Sequence, residues 1–458
     1  MDTPGKKTAA AIHQEVDREV DSLLQRIFAE RRRTGGLDLE AVEMAFRTTM
    51  HQAGAAGLTQ LLTEELPQQR HLPCACGGTA DYQELRSKPV LTAVGPARML
   101  RPYYLCSRCH EGQFPADQAL DVERTEFSPG VRRMLGVVGS ECSSFRLGAE
   151  QLLLLAGLEV TAKAVERVAE AIGADIAARE QAEIQKALQL ELPAAAGPPI
   201  PILYVELDGT GVPVVPKDTE GREGREEGKP ARTREAKMGC IFTQTTVDEE
   251  GYAVRDEAST TYLGGIQTSG EFGRALYTEA YRRGWGRAVH RVVLADGQHY
   301  NWNIAQEHFP GAVQIVDLYH AREHVWELGA KLYPSDKAAK AGWIKTHQRW
   351  LDDGQIENLA ASLRSIASHN QKPELGDHIL TEANYFEGNA ERMRYPQFRS
   401  RGFFVGTGVM EAACKTIIGG RLKRSGMFWT VRGANSIIAL RCCRLSGKFE
   451  DYWEARRA

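Results

Sequence analysis

Residues 8–65 carry apolar positions with the spacing of a helix face. In EVDREVDSLLQRIFAERRR, Val16, Val20, Leu23, Leu24 and Ile27 fall on one side. Gly35-Gly36 and Pro67 punctuate this helical region. Between 71 and 118 the periodicity lapses and Gly, Pro and Tyr become frequent, whereas 128–192 reads again as helix. From 200 to 317 short apolar runs alternate with amphipathic stretches, the pattern of an α/β domain. Within it, GREGREEGKPARTREAK (221–237) is expected to be a polar, charged loop. Residues 321–395 read as helical throughout, and 403–447 as a strand-like start followed by helix. No internal repeat or low-complexity tract interrupts this order.

These shifts divide the chain into a helical region (1–70), a small cysteine-bearing segment (71–118), a second helical region (119–195), an α/β part (196–320), a helical stretch (321–400) and a C-terminal part (401–458). Hydrophobic residues make up 42% and charged residues 26% of the 458, an ordinary balance for a soluble globular protein. No run approaches the ~20 apolar residues of a membrane span, so no membrane partner is expected. The start of the chain lacks the apolar core of a signal peptide. The expected location is therefore the cytoplasm, where the nine cysteines stay reduced and serve as metal ligands or buried thiols. The net charge of −3 hides an asymmetry: from Glu391 onward, 14 Lys+Arg face 5 Asp+Glu, a net +9. Such an end suits a phosphate backbone and equally describes a solvated basic face.

Cys74-Ala-Cys76 is followed after 29 residues by Cys106-Ser-Arg-Cys109. Two close pairs on knuckle-like turns, with a hairpin-compatible stretch between them, are what a structural Zn²⁺ ribbon requires; unrelated thiols are the alternative. The first pair is C-x-C, where C-x-x-C is commoner. In GAEQLLLLAGLEVTAKAVERVAEAIG (148–173), two helices break at Gly157. Thr161 is placed to cap the second, with Val165 and Val168 inward and Lys163, Glu166 and Arg167 outward. This is either a DNA-reading helix-turn-helix or a plain helical hairpin.

Three apolar runs each deliver an aspartate. ILYVELDGTG reaches Asp208, HRVVLADGQ reaches Asp296, and GAVQIVDLYH reaches Asp317 with His320 three positions on. One such residue is ordinary turn chemistry. Three at the carboxyl ends of α/β strands converge on one crevice, where neighbouring carboxylates repel unless a cation neutralises them. Hard oxygen ligands point to Mg²⁺ or Mn²⁺. A P-loop is excluded because DGTGVP lacks G-x-x-x-x-G-K-[ST], and a dinucleotide site because G-x-G-x-x-G is absent. A two-carboxylate glycosidase leaves the cysteine pairs and the basic end unexplained. A third catalytic carboxylate is sought among Glu387, Glu391 and Glu411. Glu411 opens an amphipathic helix after a Gly-Thr-Gly turn, where the helix dipole alone also favours an acid, and the other two read as surface charges. Arg421, Lys423, Arg424, Trp429 and Arg432 mix cations with an aromatic ring. They form either a DNA-binding surface or a core Trp flanked by solvated charges.

The blocks YVELDGTGVPVV, VVLADGQHYNWN, FPGAVQIVDLYHAREHVWEL and GVMEAACKTIIGGRLKRSGMFWTVRGAN resemble bacterial insertion-sequence transposases of the ISKra type, within the Mutator-like group. The resemblance is dense over 200–453 and looser upstream. It implies an α/β RNase H-like catalytic core with a helical insertion, preceded by helical segments and a small zinc ribbon. The core then spans 196–320 and 401–458, the insertion is 321–400, and 119–195 binds DNA. It implies a DDE triad of Asp208, Asp296 and Glu411, the insertion accounting for the 114 residues between the last two. Asp317-Leu-Tyr-His320 fills the family's Cys/Asp-x-x-His slot, with Asp317 supporting and His320 either acting on the scissile phosphate or packing beside Asp317. Two Mg²⁺ or Mn²⁺ ions would serve cleavage and strand transfer on double-stranded DNA, namely terminal inverted repeats and target. Pairing two ends implies at least a homodimer, in a bacterial, nucleoid-associated setting. A DNA-binding regulator and a non-transposing nuclease on the same core are the rival readings.

Overall fold

The computed structural model describes residues 9–34, 36, 38–63, 69–193, 195–224 and 229–457. The chain folds as two compact units, 1–169 with 453–458, and 170–452. In the first, Ala9–Thr34 and Leu39–Leu62 are helices. Asp38 caps the second by accepting from the amides of Glu40 and Ala41. Leu23, from the predicted face, is buried, and Val16, Val20, Leu24 and Ile27 are half-buried beside it. A four-stranded antiparallel sheet follows, with β1 (His71–Pro73), β2 (Thr79–Thr92), β3 (Gly95–Cys106) and β4 (Gly112–Gln113) in that order. Asp117 pins its far end: the carboxylate accepts from Arg101 Nε at 2.5 Å and Lys88 Nζ at 2.9 Å, all three side chains being buried or nearly so. Helices Pro129–Glu141 and Phe145–Ala156 come next. The second ends at Gly157 in the left-handed conformation (φ 66°), a cap glycine adopts without Cβ strain.

The second unit is built on a five-stranded sheet in the order β11-β10-β5-β6-β9. Its strands are β5 (Ile200–Pro213), β6 (Thr233–Gln244), β9 (Thr261–Gly265), β10 (Ala288–Ala295) and β11 (Val313–Val316). β7 (Thr246–Val247) and β8 (Ala253–Val254) form a separate small hairpin. β5, β6 and β9 are an antiparallel meander, whereas β10 and β11 run parallel to β5. The helices Ser269–Arg282 and His299–His308 make the crossovers that parallel pairing requires. The 321–395 stretch is helical as its periodicity predicts, in Leu318–Leu332, Lys337–Asp352, Ile356–Ser368 and Pro373–Gly388.

Three local expectations are corrected. β5 does not stop at Asp208: antiparallel β6 pairs with it as far as Pro213↔Thr233, while its parallel neighbour β10 ends at Leu207↔Ala295. Asp208 therefore stands where the strand loses one of its two partners. The 221–237 loop is shorter than expected, because β6 begins at Thr233. No strand forms at 403; the extended segment there docks through aromatic rings and single hydrogen bonds instead, among them Leu318 N to Val405 O at 2.9 Å. Tyr204 stacks on Phe242 (centroids 4.9 Å apart), Phe404 meets both rings edge-on, and the Phe404 amide donates to Tyr204 Oη at 3.2 Å.

Gly173, on the helix Ala162–Leu188, lies against the backbone of Ser436 on the helix Val431–Leu445. A Cβ there would sit 1.9 Å from the Ser436 carbonyl oxygen. In a free helix Gly→Ala gains about 1 kcal/mol of propensity. Overpacking against backbone costs about 1–3 kcal/mol, so Gly173→Ala is expected to destabilise the chain. Urea unfolding, with a lowered midpoint at unchanged slope, measures this.

Candidate active site and metal centre

The register of the parallel strands sets the site. Leu207 pairs with Ala295 and Ala295 with Val316. Asp208, Asp296 and Asp317 are the next residues of three adjacent strands, so they stand at one level along the sheet's edge. Their surroundings differ. Asp208 Oδ1 accepts from the Gly209 amide at 2.6 Å, and Oδ2 accepts from the Cys414 thiol at 3.4 Å. Burial pushes its carboxyl above the ordinary range, and the Asp296 charge pushes the same way. Asp296 Oδ1 accepts from the amide of Gln298 (3.1 Å) and the side chain of Asn301 (2.6 Å). Asp317 is buried and committed to structure. It caps the helix Leu318–Leu332 through the amides of Tyr319 (2.6 Å) and His320 (3.0 Å). Its other oxygen accepts from the Thr407 amide at 2.6 Å and from the Thr407 hydroxyl.

Thr407 precedes the short helix Gly408–Ala413, which carries Glu411. A second acid, missed in the sequence reading, holds that helix. Glu206 lies two residues before Asp208, on the same face of β5, and is fully buried. Its Oε2 accepts from the Met410 amide at 3.0 Å. Burial pushes its carboxyl up to about 8, with Asp317 adding to the rise and the Met410 bond opposing it. A charged residue inside the apolar run ILYVEL was the available signal. Glu411 itself is exposed and paired with Lys415 at 2.5 Å. Its oxygens, with those of Asp208 and Asp296, do not close to within 4.8 Å as a set; among the described residues the four ribbon cysteines alone do. The residues nevertheless fit a hard divalent ion. Asp208 and Asp296 offer oxygens from adjacent strands, burial and then the Asp296 charge push the Asp208 carboxyl up, and the hydroxyl of Tyr300 is buried nearby without a partner. Burial, then Glu235, Asp296 and Asp208, push that phenol up.

His320 lines a groove of about 970 Å³ that opens beside Gly297 and Gln298 and runs past Trp302, His324 and Asn384. Its ring stands edge-on to His324 at 5.0 Å, and its backbone amide, already noted, is what meets Asp317. Glu387 and Glu391 are surface partners of Arg364 and Arg394.

In the ribbon, Cys74 Sγ lies 3.5 Å from Cys109 Sγ, and Cys76 Sγ 3.7 Å from Cys106 Sγ. Tetrahedral zinc, with Zn–S bonds of about 2.3 Å, sets sulfurs about 3.8 Å apart. The knuckles are built by backbone bonds: Gly77 N to Cys74 O (2.9 Å) and His110 N to Cys106 O (2.9 Å). The amides of Cys109 and Arg108 hold the Cys106 thiol down near 7. At Cys109 an opposing amide bond at Glu111 is outweighed by Cys76 and Cys74, which push it up to about 12. Four thiols this close ionise together only around a cation, so the C-x-C pair belongs to a set that fits Zn²⁺.

The sequence-predicted DNA surface is corrected at two positions. Arg421 is fully buried, its guanidinium 5.1 Å above the Trp429 ring. Trp429 is buried too: its indole donates to Leu422 O at 3.1 Å, and its backbone pairs alongside the residues just past β5, its carbonyl accepting from Val215 N at 2.9 Å. Neither faces solvent. Lys423, Arg424 and Arg432 do, with Phe428 as the exposed ring. In the first unit Thr161 caps the helix, its hydroxyl accepting from Ala164 N at 3.1 Å. Val165 and Val168 are buried, Arg167 is exposed, and Lys163 is exposed and paired with Glu166 at 2.9 Å. Among the described residues no helix is long and apolar enough to cross a membrane.

Comparisons with known proteins give distant likenesses. No family model matches the chain. It is 24% identical over 353 residues to a UPF0236 protein in the vanSb 3' region of Streptococcus gallolyticus, covering 74% of this chain and 68% of that one. Among solved structures it is similar to the Drosophila P element transposase strand transfer complex. The match has 9% identity, covers 75% of this chain and 84% of that chain, and has a TM-score of 0.26. A score of that size carries no argument about fold or site, which rest on the geometry above.

Glu206 holds in the fold a proton that the unfolded chain sheds above about 4.5. Its contribution to stability is complete below that pH and is lost as pH rises through about 8. Glu206→Gln, neutral and isosteric, should retain the fold and shrink the fall in melting temperature between pH 5 and pH 8.5. For the ribbon, the native chain is expected to carry about one zinc. Cys106→Ser should lose it and melt at a lower temperature, as followed by elemental analysis and calorimetry.

Proposed function

We propose that this chain is a DNA transposase of the ISKra type, cutting and joining DNA through a DDE triad of Asp208, Asp296 and Glu411 on an RNase H-like core. The observation that carries the reading is the single level at which parallel β5, β10 and β11 deliver their aspartates. The antiparallel meander continued by parallel strands is compatible with that core. Asp208, Asp296 and Glu411 would hold Mg²⁺ or Mn²⁺. Bound divalent ions supply an activated water or 3′-hydroxyl for attack on phosphorus and stabilise the departing oxygen.

The chain's own residues do the rest. Asp317 ties Thr407 to the helix Leu318–Leu332, and Glu206 ties Met410 to β5, so the Glu411 helix starts at a fixed place beside Asp208. His320, half-exposed at the groove, stands where it can hydrogen-bond a phosphate oxygen. Lys423, Arg424 and Arg432 offer cations to the backbone, as do Lys163 and Arg167 in the first unit. Double-stranded terminal repeats and target DNA are the substrates, and a homodimer would bring two ends together.

Asp208→Asn is expected to lower Mg²⁺-dependent cleavage of terminal-repeat DNA roughly a thousandfold, the several kcal/mol that metal stabilisation supplies, while DNA binding is retained. Labelled DNA resolved on denaturing gels reads this. Cleavage at the native rate would sink the triad, and cleavage without joined product would make the protein a nuclease.

A further inference from the structure

The helix that carries Glu411 changes type three residues later. Gly408–Ala413 is α-helical, but Cys414–Gly419 is a π-helix. A π turn inserts one residue into the α ladder and opens the backbone there, so it persists where something else satisfies or requires it. Arg441, on the helix Val431–Leu445, is buried behind this turn with 4% of its surface exposed. Its Nε donates to the Ile417 carbonyl at 3.0 Å and its Nη2 to the Thr416 carbonyl at 2.9 Å. Burying a guanidinium is costly unless its donors are used, and here two of them are spent on the carbonyls of the irregular turn.

The opposite end of the segment faces the acidic site. Cys414, its first residue, donates its thiol to Asp208 Oδ2 at 3.4 Å. Glu411 lies three residues earlier and Met410, tied to Glu206, one before that. On the far side Ile417, Ile418 and Leu422 are fully buried and fix the helix in the core. One inserted residue shifts the phase of a helix by about 100°. Relaxing the π turn to α would therefore rotate Cys414 and Glu411 relative to the buried side.

We propose that Arg441 is a positioning residue of the acidic site: by holding the π turn through two backbone carbonyls, it sets the rotation that points Cys414 toward Asp208 and so fixes where the Glu411 turn stands beside it. Its link to catalysis rests on the triad reading; its geometric effect does not. Arginine suits the role because its planar fork presents several donors at fixed angles, which a lysine ammonium does not reproduce.

Cys414 itself reports the rotation. The full chain is pulsed with iodoacetamide, without DNA or added metal, and each cysteine is quantified by mass spectrometry. In Arg441→Met, Cys414 is expected to alkylate at least about tenfold faster than in the native chain, while buried Cys240 and Cys442 stay protected. Arg441→Lys, which restores a single cation, should fall between the two. An unchanged Cys414 rate in Arg441→Met overturns the proposal. So does a rise at Cys414 that merely parallels Cys240 and Cys442 in both variants, because that is general loosening. If Cys414 labelling is unchanged while Asp208→Asn abolishes cleavage, the Arg441 inference falls and the triad stands.

Discussion

The hydrogen-bond register of three parallel strands is the constraint on which the site depends. Pairing Leu207 with Ala295, and Ala295 with Val316, leaves Asp208, Asp296 and Asp317 no choice but to emerge together. A slip of one residue on β10 would turn every side chain on that strand to the other face. The apolar runs prevent it, because Val292, Val293, Leu294 and Ala295 are all fully buried. Core packing thus fixes the positions of the polar residues at the edge. The three aspartates then take different parts according to what surrounds them. Asp317 is filled by three backbone amides and a hydroxyl, whereas Asp208 and Asp296 keep acceptor capacity toward the crevice.

Around that edge, buried polar groups rather than apolar contacts place the Glu411 segment. Glu206 and Asp317 hold its beginning and Arg441 its end. An apolar contact tolerates sliding. A buried acid or guanidinium does not, because an unmade bond costs its full desolvation penalty, about 1–3 kcal/mol and more for a charged group. Glu206 limits its own cost by keeping its proton at neutral pH.

What was legible in the sequence follows the same division. Period and run length located the helices and the three parallel strands, and cysteine spacing located the ribbon, since each is a local pattern; β9 was not singled out, and the start of β6 reads as a charged loop. The three aspartates were legible because every one follows an apolar run. Glu206 was not singled out, although it stands in the same run as Asp208, because a lone acid two residues from a stronger candidate carries no periodic signal. Arg421 and Trp429 were misplaced for a physical reason: a guanidinium over an indole inside the fold has the same composition as a basic, aromatic surface. Only tertiary packing separates them. The π turn left no mark at all, since CKTIIGG reads equally well as α-helix, and its support comes from a residue more than twenty positions away.

The same packing revises the electrostatics of the basic end. Its net +9 includes Arg421 and Arg441, both buried, and Arg394, which binds Glu357 and Glu391. Fewer cations therefore face solvent than the sum suggests, and Lys423, Arg424 and Arg432 are where a phosphate backbone would find them. The Glu411–Lys415 pair has a related meaning. Both side chains are more than 60% exposed, and ion pairs of that kind are worth about 0–1 kcal/mol. A dication drawn to Asp208 and Asp296 would offer a third carboxylate several times that. On the proposed reading, the pair with Lys415 would be too weak to keep Glu411 from joining Asp208 and Asp296 as a ligand.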